Sequence, residues 1–412
     1  MRYLLILASL ALLAATAADP ALGDASQGFG IYRQHPEALQ WHAVLLHYAW
    51  ALFVPGLLAL LAPIRRRGAV LARTAWLAIV VGLSTFAALM SADLWLLAME
   101  QLLPDDAVRR ANEAFESMAW ARWGWQVPGL LGWALSLILA PLAAARARVI
   151  DWWTAGAALL GTALYFVFAI SALPLSLIGP AVMVAAYTRA ALRLRRPPAE
   201  EPDSFGAFTS AAGRACLVLA PVLFAAGLAT VPNFSPSLSG SLSHPTLAQA
   251  SALLLHLSWL AFIPAVLHLS RTAPTWSRAL SVTVVVALLN FSALMVGDYT
   301  SIAAATTLDP STATRIDDRM GTYALFTFSW IVPGMALTLL GLIAVAVAAA
   351  ITGRARWWTP ALTAAGIAAF LILGVGPLSL LSPVLLLCAL APLARRPHPS
   401  PTPAPTPAPA HS

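Results

Sequence analysis

The sequence predicts an all-α, polytopic membrane protein of about twelve transmembrane helices, arranged as two parallel six-helix repeats. Three observations predict it. Of 412 residues, 60% are hydrophobic and only 10% charged, and the mean hydropathy is +0.78, whereas an ordinary soluble domain carries roughly 25% charged residues. The apolar residues fall into long runs, and a bilayer core about 30 Å thick needs roughly 20 of them per helix. The few polar residues inside those runs occur twice, in the same order.

The runs lie at 3–18, 39–63, 71–99, 119–145, 152–172 and 174–194, then at 214–232, 247–270, 278–305, 322–351, 357–375 and 377–394. Each is expected to be a helix, because a spanning segment must satisfy its own backbone polar groups. The first, within "MRYLLILASLALLAATAADP", also has the pattern of a secretory signal peptide. Its mid-chain counterpart "RACLVLAPVLFAAGLATVP" favours retention as a membrane helix. In each repeat the fifth and sixth runs are separated only by "ALPLS" or "VGPLS", which predicts tight helical hairpins. Residues 1–194 thus form the first repeat, 195–213 a polar cytoplasmic linker, 214–396 the second repeat, and 397–412 a proline-rich, disordered cytoplasmic tail.

Arginine distribution sets the orientation. The chain has 24 basic residues, none of them Lys, and a net charge of +7. Most of these arginines, among them Arg65 to Arg67, Arg146, Arg193 and Arg354, fall on one alternating set of loops and ends. The positive-inside rule makes that set cytoplasmic, which places both termini inside an inner membrane. The basic pI therefore implies no nucleic-acid partner; the expected partners are the lipid bilayer and a small solute. The Arg-only, Ala/Pro-rich usage suggests a bacterium. Cys216 and Cys388 sit in apolar runs and read as small core residues rather than a disulfide or a thiolate site.

The repeats align residue by residue. "HPEALQWHAVLLHYAWALFVP" at 35–55 matches "HPTLAQASALLLHLSWLAFIP" at 244–264, "FAALMSAD" at 86–93 matches "FSALMVGD" at 291–298, and Trp-x-Val-Pro-Gly recurs at 125–129 and 330–334. Trp152-Trp153-Thr154 matches Trp357-Trp358-Thr359. An even number of helices per repeat inserts both the same way up, related by a pseudo-two-fold axis along the membrane normal. Twelve helices in two parallel halves resembles the major-facilitator transporters in architecture alone. Their charged Gly/Asp/Arg signature is missing from "PIRRRGAVLAR", so no functional residue carries over.

The candidate functional residues are the repeated polar ones. Gln40, Ala43, His47 and Trp50 fall within one helical stripe, as do Gln249, Ala252, His256 and Trp259. Phe86, Leu89, Met90 and Asp93 make another, duplicated by Phe291, Leu294, Met295 and Asp298. An Asp at the bilayer centre costs on the order of 2.5–3.5 kcal/mol, so Asp93 and Asp298 are expected to face the bundle interior. Helical rise places His47 and Asp93 at similar depths, where they can pair within a repeat. His35 and His244 read as caps at helix starts before Pro. Met90 and Met295 read as packing, and Trp152, Trp153, Trp357 and Trp358 as interfacial anchors. In the charged outer loop, Arg110 with Glu113 and Arg315 with Asp318 are spaced for ion pairs on a short helix.

Neither a P-loop, a Gly-x-Ser-x-Gly nor a His-Glu-x-x-His motif occurs, so an enzyme is disfavoured. The leading reading is a small-solute transporter or permease, with His47, His256, Asp93 and Asp298 as a site or proton relay. An alternative is a redox protein holding haem or another metal through His47 and His256. A third is a structural or assembly protein whose polar stripes lock helices together.

Overall fold

Apolar runs become helices, and prolines, glycines and capped starts divide them. The computed structural model describes residues 2–23, 29–194, 202–235, 237–271 and 273–395, and its regular structure there is entirely helical. The helices are α1 (Leu4–Ala18), α2 (Pro36–Leu61), α3 (Ala69–Leu102), α4 (Asp105–Ser117), α5 (Ala119–Arg146), α6 (Trp152–Phe168) and α7 (Leu175–Arg193). They are followed by α8 (Ser204–Ala229), α9 (Pro245–Ser270), α10 (Thr275–Thr307), α11 (Pro310–Gly321), α12 (Ala324–Ile351), α13 (Trp358–Leu373) and α14 (Pro377–Ala394). Among the described residues, 9 helices are long and apolar enough to cross a membrane, and α1, α6 and α13 are apolar but shorter. The chain is a multi-pass helical membrane protein.

The tail expected at 397–412 lies outside the described residues, as does the first part of the linker expected at 195–213. The remainder of that linker is helical: α8 begins at Ser204, well before the expected Arg214. Asp203 caps it by accepting from the Gly206 N–H at 2.8 Å, and Ser204 and Phe205 both bond the Arg65 carbonyl. Capping side chains, not apolar length, set this boundary.

Helices α2 and α9 are the most deeply buried of the candidate spans. Around them the two halves of the chain pack alike. Helix α1 lies against α2 and α7, and α8 against α9 and α14; α3 pairs with α5, and α10 with α12. Leu5, Ala8, Leu12 and Ala15 of α1 are fully buried in these contacts. The pairs α6–α7 and α13–α14 form the predicted hairpins at the periphery. Trp152, Trp153 and Trp357 are 60%, 86% and 82% exposed, as side chains directed toward a membrane interface would be. Cys216 is partly buried, but Cys388 is exposed on the outside of the bundle, contrary to its reading as a core residue.

Backbones come into direct contact at Gly161 and Gly179 between α6 and α7, and most closely between α3 and α5. An ideal Cβ on Gly82 of α3 would lie 2.2 Å from the Gly132 Cα of α5, so only glycine permits that approach.

The polar helices α4 and α11 lie over one end of the bundle, each packed against α3 and α10. There Arg319 and Tyr323 both donate to the Gln101 side-chain oxygen, at 2.7 and 2.9 Å. The expected Arg110–Glu113 pair does not form: Arg110 bonds Asp106 at 2.7 Å, one turn earlier. An acid in the first turn with a base four residues on suits both side-chain reach and the helix dipole. No ion pair joins Arg315 to Asp318 among the described residues, and Asp317 instead accepts from the Ser301 hydroxyl at 2.8 Å.

Candidate functional site

The centre of the bundle is a layer of two histidines, each held by both halves of the chain. Three local features build it. The third spans are interrupted: α3 breaks at Met90, between Ser84–Leu89 and Ser91–Leu102, and α10 breaks between Ala293 and Val296. Carbonyls in the last turn before a break lose intrahelical donors and become available to side chains. The fourth spans begin with π-helical turns, Arg122–Gln126 and Thr327–Ile331, directly ahead of Val127-Pro128 and Val332-Pro333. Proline has no N–H to return to the carbonyl four residues back, so the turn widens. Finally, Gly129 and Gly334 let these spans approach: a Cβ on Gly129 would stand 3.3 Å from the Phe86 nitrogen, and one on Gly334 2.9 Å from the Asn290 Cβ. The duplicated Trp-x-Val-Pro-Gly is thus a docking device. Its indoles donate to the third-span backbone, Trp125 to the Thr85 carbonyl at 3.2 Å and Trp330 to the Asn290 carbonyl at 3.1 Å.

Each indole then forms a floor for the other half's histidine. His47 stacks on Trp330 with ring centroids 3.6 Å apart, and His256 on Trp125 at 3.9 Å. Both histidines are fully buried. His47 Nδ1 lies 2.9 Å from the Ala87 carbonyl and Nε2 2.9 Å from Asn290 Oδ1. His256 Nδ1 lies 3.1 Å from the Ser292 hydroxyl and Nε2 2.9 Å from that of Thr85. The matched sequences make Thr85 the counterpart of Asn290, and Ala87 that of Ser292. Each imidazole therefore has one partner from its own half and one from the other.

The other candidates lie elsewhere. Trp50 packs among Phe53, Phe86, Trp133 and Tyr165, and Trp259 among Phe224, Phe262 and Phe291, so both belong to the apolar core. The Gln40 amide bonds the Pro36 carbonyl on its own helix, and Gln249 contributes its backbone carbonyl to the Tyr299 hydroxyl at 2.7 Å. The expected pairing of His47 with Asp93, or of His256 with Asp298, does not form. Asp93 follows the irregular turn at Met90, and its electrostatic neighbours are His42 and Asp19; that of Asp298 is Asp317. His35 and His244 do stand at the starts of α2 and α9, as predicted. His42 Nδ1 lies 2.9 Å from the Ala15 carbonyl and ties α2 to α1.

Bis-histidine haem ligation does not fit this arrangement. Both nitrogens of each imidazole are within hydrogen-bonding distance of protein groups, and one face of each ring lies against an indole. No group of three or more His, Cys, Asp or Glu suited to a metal occurs among the described residues.

Two cavities flank the layer along α10. One of about 250 Å³ is lined by Pro55, Trp76, Pro264, His268, Arg271 and Arg278. The other, about 200 Å³, is lined by Ser91, Trp95, Ala293, Thr300, Asp317 and Phe326. Asn290 and Ser292 lie between Arg278 and Thr300 on that span, so the histidine layer falls between the two cavities in position along α10. Sequence reasoning singled out the histidines and the tryptophan motif but missed Thr85, Asn290, Tyr48 and Ser292, which differ between the matched sequence stretches. No family model, curated protein or solved structure matches the chain.

Proposed function

We propose that this protein is a small-solute transporter or permease. In this reading all twelve apolar helices cross an inner membrane as two parallel six-helix repeats about a pseudo-two-fold axis, with both termini cytoplasmic. Retention of α1 in the bundle is supported by its packing, which matches that of α8. The observation that carries the function is a buried, hydrogen-bonded layer, built from both halves, whose position along α10 falls between two cavities. A barrier whose parts are shared across the repeat interface opens when the halves move relative to each other, as alternating access requires. The cavity bordered by Arg271 and Arg278 faces the cytoplasm in this topology, and the one beneath α11 faces outward.

The test is flux into proteoliposomes across a panel of amino acids, sugars and inorganic ions, with purified wild-type protein and a His47→Ala/His256→Ala double variant. Flux present in the wild type and lost in a folded double variant supports the reading. Equal flux in both removes the histidine layer from the pathway.

A further inference from the structure

The two histidine sites differ in their proton count. Each hydrogen bond contains one proton, and a carbonyl can only accept. The chain of bonds through His47 runs from the Ala87 carbonyl through His47, Asn290 and Tyr48 to the Ser329 carbonyl. Both ends are acceptors. At the Ser329 end, Pro333 has no N–H for that carbonyl, and the Tyr48 hydroxyl donates to it. Tyr48 must then accept from Asn290 Nδ2, at 2.9 Å. That turns Asn290 Oδ1 toward His47, so Nε2 must donate, while the Ala87 carbonyl requires a proton on Nδ1. The fully bonded chain needs both nitrogens of His47 protonated. With neutral His47 one bond has no proton, and turning the Asn290 amide only moves the gap to Tyr48.

The His256 chain balances without an added proton. Thr85 donates to the Val81 carbonyl at 2.6 Å and accepts from His256 Nε2, and Nδ1 then accepts from the Ser292 hydroxyl rather than donating to the Ser292 carbonyl, which also faces this ring; the serine hydroxyl thus supplies the donor that Ala87 lacks at His47. The asymmetry comes from unmatched residues: Asn290 against Thr85, Ala87 against Ser292, and Tyr48 against Leu257.

We propose that His47, Asn290 and Tyr48 form a proton-binding site that has no equivalent at His256. Empty, the site is neutral and one bond short; filled, it is cationic and fully bonded. A permanent charge buried without a carboxylate partner would be costly, and a permanent gap would leave a buried polar group unpaired. Among the described residues, no charged side chain bonds to His47, Asn290 or Tyr48. Tyr48 is the titratable group in contact on its own helix. On α3, Asp93 lies beyond the break, and on α10 Asp298 neighbours Asp317 while Arg278 lines the far cavity. Helices α1 and α12 contain no charged residue, and on α5 the charges are Arg122 and Arg146 near its ends. The site stands on hydrogen bonding alone, whether or not a solute crosses the layer.

The experiment is nitrogen-15 NMR of the imidazoles in the full-length, histidine-labelled protein between about pH 8 and about pH 3, a range carried below the usual histidine interval because burial without a countercharge disfavours the added proton. The His47 signals are those moved by Asn290→Thr and Tyr48→Phe and left in place by Thr85→Ser. The expected result is a change at His47 from one protonated nitrogen to two, with His256 keeping one throughout. Asn290→Thr gives the amide position a hydroxyl that can donate to Nε2, and this titration should vanish; Tyr48→Phe frees the amide to do the same and serves if the first variant does not fold. A wild-type His47 with a single protonated nitrogen across the range, or an unchanged titration in the folded variants, overturns the proposal. Because the readout involves no flux, its failure is separate from failure of the transport reading.

Discussion

His256 reaches across 171 residues of sequence to place its Nε2 2.9 Å from the hydroxyl of Thr85. This bond is one of the points at which the two halves of the chain become a single structure. Replacing Thr85 by Val keeps the shape and removes the acceptor, leaving a buried imidazole N–H unpaired. The expected loss is about 1–3 kcal/mol, read as a lower melting temperature in detergent, whereas Thr85→Ser should stay near wild type. Equal melting of Thr85→Val and wild type would show that the bond contributes nothing.

Backbone contact gives a second prediction. Gly82→Ala puts a methyl 2.2 Å from the Gly132 Cα, which forces α3 and α5 apart at a cost of about 1–3 kcal/mol. Gly156→Ala is the control, since nothing lies within 4 Å of its added Cβ. Detergent stability should fall for the first substitution and hold for the second.

Asp151 caps α6 by accepting from the Thr154 N–H at 2.8 Å and also bonds Arg189 of α7 at 3.0 Å. The Thr154 bond is the main cause holding its carboxyl below the usual carboxylate range. Asp151→Ala should cost about 1 kcal/mol, mostly through the lost cap, since an exposed ion pair adds little. Faster amide exchange in the first turn of α6 would register it; unchanged exchange there would remove the cap from the account.

Acid should loosen α11 before the membrane-embedded helices. Bonds from Ser311 and Thr312 hold the Asp309 carboxyl down to about 2. A depressed folded-state value stabilises the helix above the unfolded value near 4 and loses that effect as pH falls toward about 2. Amide exchange over 310–321 should rise through this window in wild type. In Asp309→Asn the same pH-dependent rise should be absent.

Much of the fold was legible because apolar length and duplicated motifs are written directly in the chain. His47, His256 and the Trp-x-Val-Pro-Gly segments stood out because they occur twice. Their partners did not, because Asn290 and Thr85 occupy matched positions with different chemistry, and Tyr48 faces a position that is Leu257 in the other half. The stripe from Phe86 to Asp93 assumed an unbroken helix, whereas the span is interrupted at Met90. The Arg110–Glu113 spacing was sterically sound, but Asp106 offered the same guanidinium a carboxylate on the better side of the helix dipole. Local spacing can nominate such partners; competition between neighbours decides among them.

The glycine contact between α3 and α5 also bears on mechanics. Where Gly82 meets Gly132, the matched positions in α10 and α12 are Ala287 and Leu337, and the tightest approach of that pair is Gly341 against the Val284 side chain. Main chain pressed on main chain has no rotamer through which to yield, while a valine side chain can turn. The N-terminal pair is therefore the stiff strut of the bundle and the C-terminal pair its compliant one, so any hinge between the halves should flex first along α10 and α12.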